Sequence, residues 1–249
     1  MSQIEPLTSQ NPTLHQQTQP VLIAHGPTDR PEIALTFDDG PSPEYTPPLL
    51  AILRQSHIPA TFFMLGRAAQ RSPDLVRAVV DAGHAIGNHS WDHPYLTRLS
   101  ADQIFRQLSA TREVIEQVTG ICPSLFRPPY GYYNRRTLAA AQALGHSAIL
   151  WNVDPVDWSC PGSAAIITRV LSRLTNGAII LLHDGVSDEE ASRAQTLEAL
   201  PQIIEAGQAR GFRFVSLPHM LAQRPYSSLD RFLQARLPPR VFRRWSGVR

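Results

Sequence analysis

From Ile33 to Leu217, short apolar runs alternate with amphipathic helical stretches, and this alternation restricts the fold more than any other feature of the chain. Candidate strands are IALTF (33 to 37), ATFFML (60 to 65), HAIGN (84 to 88), SLFR (124 to 127), HSAILWNV (146 to 153), AIILLH (178 to 183) and FRFVSL (212 to 217). Helical periodicity covers 45 to 56, 73 to 82, 101 to 119, 134 to 144, 163 to 174 and 191 to 208. The stretch from 101 to 119 carries the fullest set of signals. Ile104, Leu108, Thr111, Ile115 and Val118 share one face, Ser100 and Gln103 open it as a capping box, and Gly120 supplies a stop. A strand that passes through a helix into the next strand of its sheet pairs in parallel, with a right-handed crossover. The expected class is therefore α/β, with about seven parallel strands in a closed or partly closed β/α barrel. In such barrels reactive groups gather where the βα loops converge, at the C-terminal ends of the strands.

At 249 residues and 43% hydrophobic content, the chain can bury the core of one large α/β domain. The organisation expected is an extended arm over 1 to 29, rich in Gln, Thr, Pro and Asn, a catalytic domain over 30 to 221, and a basic tail over 222 to 249. A formal charge of +2 is too small to make nucleic acid the default partner, although all 23 cationic residues are Arg and they crowd toward the C-terminus. No run approaches the roughly 18 apolar residues of a membrane span. The first 20 residues lack a basic start followed by an apolar run, so a cytoplasmic product is the literal expectation. Cys122 and Cys160 have no CxxC spacing and are expected to be free thiols. No feature specifies an oligomeric state.

Five short motifs fall at or just after the candidate strands. TFDDGP (36 to 41) sets two adjacent carboxylates at a strand end, where Asp39 could bind a metal while Asp38 faces the water beside it; alone, Asp-Gly-Pro is equally turn chemistry. HSWDH (89 to 93) places His89 and His93 four apart, a spacing that on a helical turn brings two imidazoles to one ion. Together, Asp39, His89 and His93 make three protein ligands with positions left open, the arrangement of a catalytic metal. FRPPYG (126 to 131) is stiffened by two prolines, so Arg127 could pair with a carboxylate and the Tyr130 N–H could meet an oxyanion, or the loop could be a rigid connector. WNVDPVDW (151 to 158) offers Asp154 and Asp157 to orient a histidine and Trp158 to wall a site, against an ordinary loop with a core Trp. LLHDG (181 to 185) ends an apolar run with His183, and Leu181 and Leu182 could line an apolar notch.

TFDDGP, HSWDH, RPPYG, DPVDW and LLHD, in this order, resemble the five motifs of the polysaccharide deacetylase family, carbohydrate esterase family four, with its NodB-like domain. The resemblance covers about residues 32 to 217, and it implies a distorted (β/α) barrel that removes N-acetyl groups from N-acetylglucosamine units of a chitin-like or peptidoglycan-like glycan. Carried over residue by residue, it implies Asp38 as base, His183 as acid, Arg127 as the residue orienting the base, Tyr130 as backbone oxyanion donor, and Asp157, with Asp154 second to it, as the carboxylate tuning His183. Asp39, His89 and His93 would be the metal triad, holding Zn2+ first, with Co2+, Ni2+ or Mn2+ as alternatives. Trp158, Leu181 and Pro129 would line the substrate pocket, and the family often acts outside the cytoplasm.

Other readings stay open on the residues alone. A non-haem iron oxygenase also uses two His and one carboxylate, but the βα alternation argues against the all-β folds of those enzymes. A binding module could keep the pocket without the chemistry, and an O-acetyl ester could replace the amide. The basic tail could touch an anionic membrane or the cell wall through Leu229, Phe232, Leu233 and Leu237, or simply pack on the barrel.

Overall fold

The computed structural model describes residues 22–185 and 192–221, so the basic tail and most of the N-terminal arm lie outside the described residues. Eight strands run through it: β1 (Leu22–Ile23), β2 (Glu32–Asp38), β3 (Thr61–Met64), β4 (Ala85–Asn88), β5 (Leu125–Phe126), β6 (Ser147–Ile149), β7 (Ile179–His183) and β8 (Arg213–Phe214). The helices are α1 (Thr46–Gln55), α2 (Gly66–Arg71), α3 (Pro73–Asp81), α4 (Ala101–Thr119), α5 (Arg135–Ala143), α6 (Ser163–Leu171), α7 (Ala194–Ala209) and α8 (Leu217–Met220). Every strand pairing is parallel, in the order β1-β6-β5-β4-β3-β2-β7, with β8 beside the start of β2.

The sheet curls into a distorted β/α half-barrel. Beyond β6 the chain crosses to the far edge, where Val153 bridges Ile180 and the Leu181 N–H donates to Val153 O at 2.9 Å. All seven expected strands are present; β2 extends one residue beyond its apolar run at each end, while the other six are shorter than theirs, because ladder pairing stops where the barrel opens into loops. The pair Leu22–Ile23, upstream of where order was expected to begin, adds an eighth strand on β6. The short helix α2 also had no periodic signal long enough to read.

Period-two alternation sorts the side chains of the sheet. Ile33, Leu35 and Phe37 of β2 join Phe62, Met64, Ile180 and Leu182 against the helices. Ala34 turns the other way, into the barrel with Phe63, Leu125, Ile149 and Ile179. The same parity carries Thr36 and Asp38 into the barrel interior, which is why β2 can end in a buried carboxylate. Around the sheet, α4 has both capping-box bonds, and Gly120 stops it with φ 70°. Among the described residues no helix is long and apolar enough to cross a membrane.

Candidate active site

One cavity of about 470 Å³ opens at the C-terminal ends of the strands and is lined by residues of all five motifs, among them Asp38, Asp39, His89, Tyr130, Trp158 and His183. Its volume falls in the ~300–1,000 Å³ range usual for small-molecule sites. The loops around it carry most of the strained backbone. Asp39, Ser90, His93, Tyr130, Val156 and Cys160 are non-glycine residues with φ between 54° and 73°, a conformation that costs of order 1 kcal/mol or more each and tends to cluster at functional sites.

Asp38 is the last residue of β2, buried on the interior face. Its Oδ1 accepts from Arg127 Nη1 at 2.8 Å. Arg127 is fully buried and has every nitrogen engaged: Nη1 also donates to Thr36 Oγ1 at 2.8 Å, Nη2 to Leu150 O at 3.1 Å and Nε to Ile149 O at 3.4 Å. Its guanidinium lies 4.2 Å from the Phe63 ring centroid. Burial raises the pKa of Asp38 above the usual carboxylate value, and the Arg127 charge only partly opposes that rise.

Asp39 follows the strand with φ 73°, and its carboxylate faces two imidazoles. Asp39 Oδ1 stands 3.5 Å from His89 Nε2 and 3.5 Å from His93 Nε2. His89 Nδ1 is 2.8 Å from Arg127 O, so Nδ1 carries the proton and Nε2 presents a lone pair. Burial, reinforced by the neighbouring His93, holds the His89 pKa down at about 3, so the ring is neutral. Asp39 Oδ1 is itself buried without a hydrogen-bond partner among the described residues. Lone pairs thus converge with no proton between His89 and the carboxylate, an arrangement that a cation resolves. Ligands about 2.1 Å from a tetrahedral zinc-like ion stand roughly 3.4 Å apart, and the observed spacing of 3.5 Å fits that geometry.

His183 closes the opposite side. Its Nδ1–H donates to Asp157 Oδ1 at 2.7 Å and its backbone N–H to Asp157 Oδ2 at 3.0 Å, which leaves Nε2 as the ring atom available to the cavity. Burial alone would lower the His183 pKa; the charge and hydrogen bond of Asp157, backed by Asp39 and Asp38, outweigh it and push the value up to about 9. Thr196 Oγ1 donates to Asp157 Oδ2 at 2.8 Å, adding a second anchor to that carboxylate.

The sequence model of the polysaccharide deacetylase family matches residues 25–149. The chain belongs to that family. It is 40% identical over 197 residues to a peptidoglycan-N-acetylglucosamine deacetylase of Bacillus cereus, covering 78% of this chain and 90% of the relative. A chitooligosaccharide deacetylase of a Bradyrhizobium species is 39% identical over 196 residues, covering 76% and 90%. The crystal structure of the Bc1960 peptidoglycan N-acetylglucosamine deacetylase superposes with a TM-score of 0.80 at 35% identity, covering 83% of this chain and 95% of that one. As a polysaccharide deacetylase, the chain is a hydrolase with a NodB-like barrel.

Within this deacetylase the structure brings Asp38, Asp39, His89, His93, Arg127, Tyr130, Asp157 and His183 together, and four expectations change. The HSWDH segment is a loop and not a helical turn: Ser90 at φ 70° and His93 at φ 66° fold it back, so the two rings meet with centroids 5.0 Å apart. Asp154 does not orient His183; its Oδ1 accepts from the Val156 N–H at 2.7 Å and shapes its own loop. Pro128 lines the cavity, whereas Pro129 is buried and is not among its lining residues. Leu181 lines the cavity while Leu182, one residue on, turns into the helix layer. Among the described residues, neither Cys122 nor Cys160 forms a disulfide. Sequence reasoning missed Thr36, Thr196, Arg193, Tyr95 and Tyr132. Arg193, buried, lines the cavity and donates through Nε to Gly185 O at 2.8 Å. Only the parity of Thr36 with Asp38 on β2 was readable as a signal.

Proposed function

We propose that this deacetylase removes N-acetyl groups from N-acetylglucosamine units of a peptidoglycan-like or chitin-like glycan, releasing acetate, with one divalent cation, zinc first among the candidates, held by Asp39, His89 and His93. A cation bound there supplies Lewis acidity to the acetamide carbonyl and acidifies water. Asp38, held by Arg127 at 2.8 Å, takes the proton from the attacking water. The Tyr130 backbone N–H, carried on a rigid loop at φ 59°, donates to the oxyanion that develops on the carbonyl oxygen. His183, charged through Asp157, gives the proton on Nε2 to the leaving nitrogen. Leu181 and Trp158 line the space for the acetyl methyl. An amine is a poor leaving group until protonated, so a His183 that keeps its proton at neutral pH favours amide over ester cleavage.

The observation that carries this reading is the buried Asp39 Oδ1, unpartnered and equidistant from two imidazole nitrogens, between an anchored carboxylate and an anchored imidazole. Acetate release from N-acetylglucosamine oligomers by the purified protein tests it. Activity should disappear with chelator and return with zinc or cobalt, and His89→Ala should lose metal and turnover together. Full activity in chelator, or in metal-free His89→Ala, would overturn the metal assignment.

A further inference from the structure

The loop that carries both candidate metal histidines is strained. Ser90 at φ 70° and His93 at φ 66° are left-handed without being glycine, a backbone that persists only where its surroundings over-determine it. Part of that constraint comes from a residue outside the five motifs. Gln107, half-buried on α4, turns its amide onto the three-residue span between the two histidines. Its Oε1 accepts from the Trp91 N–H at 2.8 Å and from the Asp92 N–H at 3.4 Å, and its Nε2 donates to Asp92 Oδ1 at 2.8 Å. We propose that Gln107 is a positioning residue for the metal site, setting the separation of His89 and His93 through the loop between them; the inference rests on the metal reading above.

Three observations carry it. Oε1 faces two N–H groups, which fixes the amide in one orientation and engages both of its polar atoms with the loop. Next, the other supports lie earlier in the segment. Asn88 Nδ2 donates to Leu108 O at 2.7 Å while its Oδ1 accepts from the Ser90 N–H at 2.9 Å, and Ser90 O and Trp91 O accept from the Gly66 and Arg67 N–H groups at 3.0 Å each. These contacts end at Trp91, and Asp92, the residue before His93, is held by Gln107. Finally, α4 stands without the amide. Its capping box is complete, and Ile104, Leu108 and Ile115 are fully buried on its apolar face, so Gln107 can be changed without removing the helix from the core.

The zinc affinity of metal-stripped protein, titrated against a competing chelator, tests the proposal beside the unfolding midpoint measured in EDTA. Gln107→Met keeps the length of the side chain and removes its hydrogen bonds. Zinc binding should weaken roughly 10- to 100-fold, the scale of losing a group that orients a metal ligand, while the metal-free midpoint changes little. The paired change Gln107→Glu with Asp92→Asn preserves the net charge and all three hydrogen bonds, with one donor and one acceptor exchanged, and should bind zinc as the wild type does. Wild-type zinc affinity in Gln107→Met would overturn the proposal. So would a paired variant that binds no tighter than Gln107→Met, or loss of the metal-free fold in Gln107→Met, because Gln107 would then serve the domain and not the site. A wild type that binds no zinc would instead reject the metal reading, and this inference with it.

Discussion

Two buried pairs face each other across the cavity, each joining a carboxylate to a nitrogen base, and their electrostatic outcomes are opposite. In the Asp38–Arg127 pair, a single 2.8 Å contact to Oδ1 leaves burial dominant, and the carboxylate is raised above its ordinary pKa, where a proton acceptor is useful. In the Asp157–His183 pair, the carboxylate accepts three hydrogen bonds, from His183 Nδ1, His183 N and Thr196 Oγ1. Burial would raise Asp157, but the His183 charge and these bonds hold it below the usual range, and the imidazole keeps its proton. The number of donors on the carboxylate, more than burial, separates an acceptor of protons from a holder of them. A divalent cation against Asp39 would weaken the carboxylate contribution to His183 from that side, but would leave the direct Asp157 contact intact.

Breaking the first pair should have the largest effect. Asp38→Asn keeps the shape and removes the base, so turnover should fall by about 10²–10⁴ while metal content, read by elemental analysis, is retained. A variant at full rate would remove Asp38 from the mechanism. The second pair should respond through pH. His183 must carry its proton, so wild-type turnover should fall as pH rises through about 9. In Asp157→Asn the opposing charge is gone and burial dominates, so the His183 pKa drops and the alkaline fall moves to lower pH. A loss of roughly tenfold or more at pH 8 is expected, and an unshifted alkaline limb would show that Asp157 does not set the acid. The smallest effects should come from the hydroxyl anchors. Thr36→Val strips one acceptor from Arg127 and Thr196→Val one donor from Asp157. Each should cost about 1–3 kcal/mol of stability in denaturant titration, and a neutral result at either would mean that pair holds itself without outside help.

Much of this arrangement was legible before any coordinates. Alternating strands and helices implied a parallel barrel, and a parallel barrel implied that residues following its strands would converge. Asp38, Asp39, His89, Arg127 and His183 all sit at such ends, so their meeting followed from chain order alone. Less legible were features that depend on backbone outside the ladders. The spacing of His89 and His93 resembled helix geometry, but the ligands are aligned by two left-handed residues in a loop, and left-handed backbone at Ser or His leaves no compositional trace. Residue pattern alone did not separate Asp154 from Asp157, which flank the same two residues, and only the family resemblance ranked Asp157 first; a local turn at Val156 committed Asp154 to the loop, and Asp157 holds His183.

Local pattern by itself therefore determined the seven main strands, the longer helices, the parallel pairing and which residues would stand near the opening, because periodicity and crossover handedness act over a few residues at a time. Only the folded chain decided the protonation states and the anchors. Thr36 and Thr196 reach Arg127 and Asp157 from 91 and 39 residues away, and the burial that neutralises His89 exists only once the whole barrel has closed around it. Desolvation and through-space charge depend on distances that no short window of sequence contains.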